Sequence, residues 1–137
     1  MLLTTFLSGE ARYAGRALAA IARQVRLTGE PIAPPACLIA GGETTVTLRG
    51  DGLGGRNQEL ALGALEELAG LASTVLVALA TDGGDGPTDA AGAVASGESL
   101  DEARAQGLIP QRFLAENDSY HFFEPLGDLL LPGRADH

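Results

Sequence analysis

Residues 49–62 read RGDGLGGRNQELAL, with four glycines between positions 50 and 55 running into an Arg-Asn-Gln-Glu cluster and an apolar, helix-like pattern. Glycine has no Cβ, so such a backbone can approach a phosphate closely. The free N–H groups of a helix start also favour an anion. Arg56 would add a forked, permanently charged donor at that spot. Gly50, Gly52 and Gly55 match G-x-G-x-x-G in form. A dinucleotide site also needs an acidic residue about 20 positions beyond the first glycine. None stands there, and the first acidic residue after a strand is Asp82. An anion-contacting loop and a ligand-free turn both fit this spacing.

A second constellation is TDGGDGPTDAAG, which sets Asp82, Asp85 and Asp89 directly after the most apolar strand pattern in the chain. Ligands of open α/β sheets gather at that end of a strand. Carboxylates there could ligate Mg²⁺, orient a substrate hydroxyl or take its proton. Equally, Asp and Gly build turns, and Asp89 could cap a short helix. The spacing is not that of an EF-hand loop. The third constellation is ENDSYHFF, where Asn117, Asp118 or Ser119 suits a helix cap and Tyr120, Phe122 and Phe123 supply packing. His121 and His137 are the only histidines, so no histidine metal cluster is expected, and His121 reads as a packed or solvent-facing residue.

The elements that must carry these residues follow from periodicity. Leu2–Leu7 fits a buried strand, with Ser8 and Gly9 as the break and Ser8 as an N-cap. From Glu10 to Arg26, Ala11, Ala14, Leu18, Ile21, Ala22 and Val25 fall on one helix face. Gly29 and the prolines at 31, 34 and 35 end that helix. Cys37–Ala40 and Thr45–Leu48 read as a hairpin turning at Gly41-Gly42-Glu43, with Cys37 as an inert core thiol. A helix over about 56–69 buries Ala61, Ala64, Leu65 and Leu68. The run STVLVALA at 73–80 is apolar on both faces, as a covered central strand would be. An acidic loop over 81–93, two short helices near 100–106 and 110–116, and a strand candidate at the end of 117–131 complete the reading. Alternating elements with a two-sided strand predict an α/β fold, a three-layer sandwich with a mixed sheet.

Composition narrows the functional classes. The 137 residues suit one domain, 1–137, and at 45% hydrophobic content with 4% aromatics the core must be aliphatic. A net charge of −9 repels phosphate at long range, so neither a nucleic acid nor an anionic membrane surface is an expected partner. A single cysteine excludes an internal disulfide and a cysteine-based zinc site. No apolar run reaches the ~18–20 residues of a membrane span. The first basic residue is Arg12, so the start lacks a signal peptide's basic region and a cytoplasmic location is expected.

Taken in order, SGEAR, CLIAGGETTVTLRGDGLGGRNQELAL, ATDGGDGPTDAAGA and ENDSYHFFEPLGDLL resemble the MOFRL domain, the C-terminal domain of the bacterial and archaeal glycerate 2-kinases, over about residues 8–131. The resemblance implies an ATP-dependent kinase that phosphorylates the 2-hydroxyl of D-glycerate with Mg²⁺, in a cleft shared with a Rossmann-like N-terminal domain. By the same resemblance Arg56 is the catalytic residue, holding the substrate carboxylate or the transferring phosphoryl group. Glu43, Gly54, Gly55, Asn57, Asp82, Asp85 and Asp89 would line the substrate side, with the metal ligands unassigned. Members of the family often carry the label hydroxypyruvate reductase.

Three departures stand out. The nucleotide-binding portion with its lysine is missing, GDLLLPGRADH diverges from the family's continuation, and Gly84 replaces an apolar branched residue and should loosen the acidic loop. The chain by itself is therefore expected to be an inactive part of the kinase. The alternatives are an NAD(P)H-dependent hydroxypyruvate reductase, or a non-catalytic module that binds an anion or docks on a separate nucleotide-binding chain. Exposed apolar surface on the side of the missing domain would predict a homo-oligomer.

Overall fold

In the computed structural model, which describes residues 1–132, the chain opens with strand β1 (Leu2–Leu7) and turns at Gly9, whose φ is +92°, into helix α1 (Ala11–Thr28). Gly29 ends α1 in the left-handed conformation, its N–H returned to the Val25 carbonyl, and the proline-rich loop follows. Then come β2 (Ile39–Gly42), α2 (Arg56–Leu68), β3 (Val75–Leu79) and β4 (Gly92–Ser96). Three short helices, α3 (Ser99–Ala105), α4 (Pro110–Ala115) and α5 (Ser119–Phe123), precede β5 (Leu129–Leu130). The α/β class with mixed strand pairing is as expected, divided between two sheets: β1 and β2 pair parallel, and β3-β4-β5 is antiparallel.

The core forms where α2 lies between α1 and the antiparallel sheet. Ala61, Ala64, Leu65 and Leu68 are buried as the spacing predicts, and Leu60 and Leu62 join them because α2 is covered on more than one side. Each buried leucine contributes roughly 1.5–3 kcal/mol. Phe122 and Phe123, packed edge to face, close the core from α5. The α1–α2 crossing is lined by small residues. A Cβ at Gly15 would overlap the Leu60 carbonyl, and one at Gly63 would overlap the Arg12 carbonyl.

Several local readings are overturned by long-range pairing. No hairpin forms at Gly41-Gly42-Glu43. Instead, Ile39, Glu43 and Thr45 donate their N–H groups to Met1, Leu7 and Gly9, and Ala11 N–H donates back to the Thr45 carbonyl. The second segment thus runs parallel beside the first, with its ladder donors already used. Cys37 precedes β2 and is exposed, its carbonyl accepting from the N-terminal ammonium. Strand β1 is not buried: Phe6 is 88% exposed. Strand β3 lies at an edge of its sheet among the described residues, turning Leu76 and Ala78 to the core and leaving Val75, Val77 and Leu79 open. An apolar run cannot by itself distinguish an edge strand with a bare face from a covered central one.

Glu10 rather than Ser8 is the N-cap of α1, because its bridge to Thr45 holds it extended. Thr47 hydrogen-bonds the Glu10 carboxylate, which holds that group below the usual carboxylate range. No helix follows Asp89, since the chain enters β4 at Gly92. Among the described residues no helix is long and apolar enough to cross a membrane. His137 lies outside the described residues.

Candidate functional site

The glycine-rich stretch is held from behind by the segment between α4 and α5. Asn117 takes the left-handed conformation, φ +54°, just past the end of α4, and the N–H groups of Asn117 and Asp118 return to Leu114 and Phe113. That closure is a Schellman motif. It turns the Asn117 amide toward residues 47–50: Oδ1 accepts from Arg49 and Gly50 N–H, and Nδ2 donates to the Thr47 carbonyl at 3.2 Å and to Glu59 Oε1 at 2.9 Å. Glu59 is buried and also meets Arg12 Nε at 3.4 Å, while Arg12 Nη2 donates to the Leu114 carbonyl. Asp118 accepts from Leu53 N–H, and Gly52 N–H donates to the Glu116 carbonyl.

The missing side chains of the glycines make this contact possible. A Cβ at Gly50 or Gly52 would overlap the 116–118 segment, one at Gly54 would overlap Ser119 Oγ, and one at Gly55 would overlap Asp85. The backbone approach that could have admitted a pyrophosphate is thus filled by protein.

The start of α2 is filled as well. Gly55 is the N-cap and has no side chain to cap with, so the carboxylate comes from the acidic loop. Asp85 Oδ1 accepts from Asn57 N–H at 3.0 Å and Asn57 Nδ2 at 3.1 Å, while Oδ2 accepts from Gln58 N–H at 2.9 Å and Gln58 Nε2 at 3.0 Å. Asp85 is only 2% exposed, so the favourable site for an anion at this helix end is taken internally. Thr88 Oγ1 donates to the Asp85 carbonyl at 2.8 Å and accepts from Gln58 Nε2 at 3.0 Å.

Arg56 is the first residue of α2 and points outward. Its Nη1 donates to Glu43 Oε1 at 2.7 Å and to the Thr44 carbonyl at 3.4 Å. With side chains 51% and 79% exposed, the Arg56–Glu43 pair contributes at most about 1 kcal/mol, so an incoming anion can redirect the guanidinium. Asp82 is exposed and accepts from Gly84 N–H at 3.0 Å. No atom beyond Asp82 Oδ1, 3.9 Å away, stands near a Cβ at Gly84, so the position opens into space. Asp89 accepts from Tyr120 Oη at 2.7 Å.

The Asp89 hydrogen bond, helped by desolvation, pushes the Tyr120 phenol up to about 12. A raised acid holds its proton more tightly in the folded state. Its contribution to stability is therefore complete below the ordinary tyrosine value of about 10 and is lost as pH rises through about 12. Ultraviolet titration of the phenolate should show this late ionisation, and Asp89→Ala should bring it back toward the ordinary value. A titration unchanged by the substitution would contradict the Tyr120–Asp89 contact.

The expected residues therefore divide into three groups. Arg56 meets Glu43; Gly54, Gly55 and Asn57 converge on the loop anchored by Asp85; Asp82 and Asp89 flank that anchor. Sequence reading missed Gln58, Glu59 and Thr88, and in Asn117 and Asp118 it saw only helix caps. An asparagine just past a short helix was the one local signal for Asn117. Among the described residues no group of three or more His, Cys, Asp or Glu side chains is placed to hold a metal ion. A surface groove of about 220 Å³ between α1, α2 and α4, lined by Arg12, Tyr13, Arg16 and Glu66, contains none of the candidate residues.

Known proteins are similar to this chain in sequence and in fold. The D-glycerate 2-kinase of Thermotoga maritima is 46% identical over 132 residues, covering 96% of this chain and 32% of that protein. The glycerate 2-kinase of Pyrococcus horikoshii is 42% identical over 133 residues, covering 96% of this chain and 30% of that protein. The crystal structure of glycerate kinase from Thermotoga maritima superposes with a TM-score of 0.95 over 97% of this chain and 32% of that one, at 46% identity. This chain thus spans about a third of the length of these relatives. The model of the MOFRL family matches residues 36–137, a range holding the acidic loop, the glycine-rich stretch and the asparagine that braces that stretch, and the chain belongs to that family.

Proposed function

We propose that this chain is one domain of an ATP-dependent glycerate 2-kinase and supplies the wall of the active site that holds the acceptor substrate. The observation that carries the reading is Arg56: a guanidinium on the first turn of a clamped helix, exposed, and paired only weakly with exposed Glu43. Phosphoryl transfer asks mainly for positioning and charge stabilisation. Arg56 can present two parallel N–H groups to the glycerate carboxylate or to the phosphoryl group in flight, releasing Glu43 as it does so. Asn57 lies beside it on α2, and Asp82 and Asp89, on the acidic loop anchored to the same helix start, are polar groups able to orient the glycerate hydroxyls.

ATP is assigned largely to the rest of the enzyme, because the glycine backbone of the described residues is filled by protein and offers no open cradle for phosphates. Mg²⁺, when bound with ATP, neutralises charge on the phosphate oxygens. The bare faces of β1 and β3 support a reading in which further polypeptide covers this domain. The filled glycine backbone speaks against a nicotinamide-dependent reductase.

The test is a chimera in which this chain replaces the matching third of the Thermotoga maritima D-glycerate 2-kinase. The chimera should form phosphoglycerate from ATP and glycerate, the isolated chain should not, and neither should oxidise NADH with hydroxypyruvate. A folded chimera without phosphotransfer, or one with reductase activity, would overturn the reading.

A further inference from the structure

Asp85 accepts four hydrogen bonds from two consecutive residues of α2, two from main-chain N–H groups and two from side-chain amides. We propose that Asp85 is a positioning residue that aims Arg56, and that its carboxylate makes no contact with the substrate. The proposal rests on the kinase reading above and deepens it.

Both carboxylate oxygens already face two donors each inside the protein, and a Cβ at Gly55 would overlap Asp85, so no room remains for a substrate hydroxyl on that side. The N–H groups of Asn57 and Gln58 belong to the first turn of α2, where no intrahelical acceptor exists for them. Tying both to one rigid carboxylate sets the first-turn backbone, and with it the direction in which the neighbouring Arg56 leaves the helix.

The same residue also anchors the acidic loop. Asp85 N–H donates to the Ala90 carbonyl, its own carbonyl accepts from Thr88 Oγ1, and Gly86 packs where a Cβ would overlap the Gly54 carbonyl. One buried carboxylate thus registers Arg56 and Asn57 on the helix against Asp82 and Asp89 on the loop. A misplacement of about 1 Å at such a point can cost on the order of 100-fold in rate.

A double-mutant cycle in the chimera, with amide hydrogen exchange on the 137-residue chain, tests the proposal. Asp85→Ala should lower kcat by about 10- to 100-fold. Combining it with Arg56→Ala should lower kcat by clearly less than the product of the two single losses, because most of the Asp85 effect passes through Arg56. Asp85→Asn should recover part of the loss. It keeps the shape and the Oδ1 acceptor for Asn57, and the buried Gln58 Oε1, which has no hydrogen-bond partner, can accept from the new amide after a flip, while the Gln58 main-chain N–H loses its acceptor. Exchange at Asn57 and Gln58 should quicken at least about tenfold in Asp85→Ala, while Leu65 in the middle of α2 keeps its protection.

If Asp85 were instead a base or a substrate contact, Asp85→Asn would be as damaged as Asp85→Ala and the two losses in the cycle would multiply; either result overturns the proposal. So does unchanged exchange at Asn57 and Gln58. Should Asp85→Ala fail to fold, the Asp85→Asn cycle with Arg56→Ala decides. A chimera inactive even with Asp85 intact would sink the kinase reading, whereas the exchange measurement would still decide whether Asp85 organises the helix start.

Discussion

Arg56→Ala in the chimera lowers kcat for glycerate phosphorylation by about 10²- to 10³-fold, the usual loss when one preorganised donor to developing charge is removed. The fold should survive, because the substitution removes only an exposed ion pair to Glu43 and a long hydrogen bond to the Thr44 carbonyl. Such a pair is worth at most about 1 kcal/mol. The α2 start keeps its cap, since Asp85 binds the N–H groups of the two following residues. Arg56→Lys should not restore the rate, as a single ammonium cannot offer the parallel donors of a guanidinium. Steady-state kinetics beside a thermal melt checks this. A variant within tenfold of the parent, with an unchanged melt, would remove Arg56 from the mechanism.

Gly15→Ala destabilises the chain by about 3 kcal/mol or more, at the upper end of overpacking effects. Its new methyl would overlap the Leu60 carbonyl, and because that atom is backbone in the middle of α2, it cannot rotate away. Helices α1 and α2 would have to separate, loosening Ala11, Ala14, Ala61 and Ala64 along the same seam. Intrinsic propensity points the other way, because alanine is better than glycine inside a helix by roughly 1 kcal/mol. The sign of the effect therefore decides between local preference and packing. Urea unfolding should show a markedly lower midpoint for Gly15→Ala, while Gly41→Ala, where a Cβ meets nothing within 4 Å, stays within about 0.5 kcal/mol of the parent. A midpoint raised by Gly15→Ala would mean that the helices do not cross so closely.

These two expectations also mark how far the residues alone could be read. The 3-and-4 spacing of Ala11, Ala14 and Val25, and of Ala61, Ala64, Leu65 and Leu68, located α1 and α2 and their buried faces. The short helices α3 and α4 were legible too, the second beginning at Pro110, which suits a first helical turn. Strand β4 went unread, its start taken into the acidic loop over 81–93 and the rest left unassigned, because Gly92, Ala93 and Ala95 carry little strand preference and owe their pairing to β3 and β5. The hairpin reading failed for a related reason: residues 39–45 had a partner available nearby in sequence, but the one they use is β1 and the turn after it.

By itself the sequence determined which residues could do chemistry here and which elements carry them: an arginine opening a helix, aspartates following a strand, glycines between. Such features depend on periodicity, turn chemistry and charge, all expressed within a few residues. Only the tertiary structure decided their division of labour. Asp85 looks equivalent to Asp82 and Asp89 in the sequence, yet it alone is buried and reaches Asn57 across 28 positions. The glycines that look like an anion cradle are filled by residues 116–119 and by Asp85 itself. Which buried donor meets which acceptor depends on segments far apart in the chain, and that pairing exists only once the chain has folded.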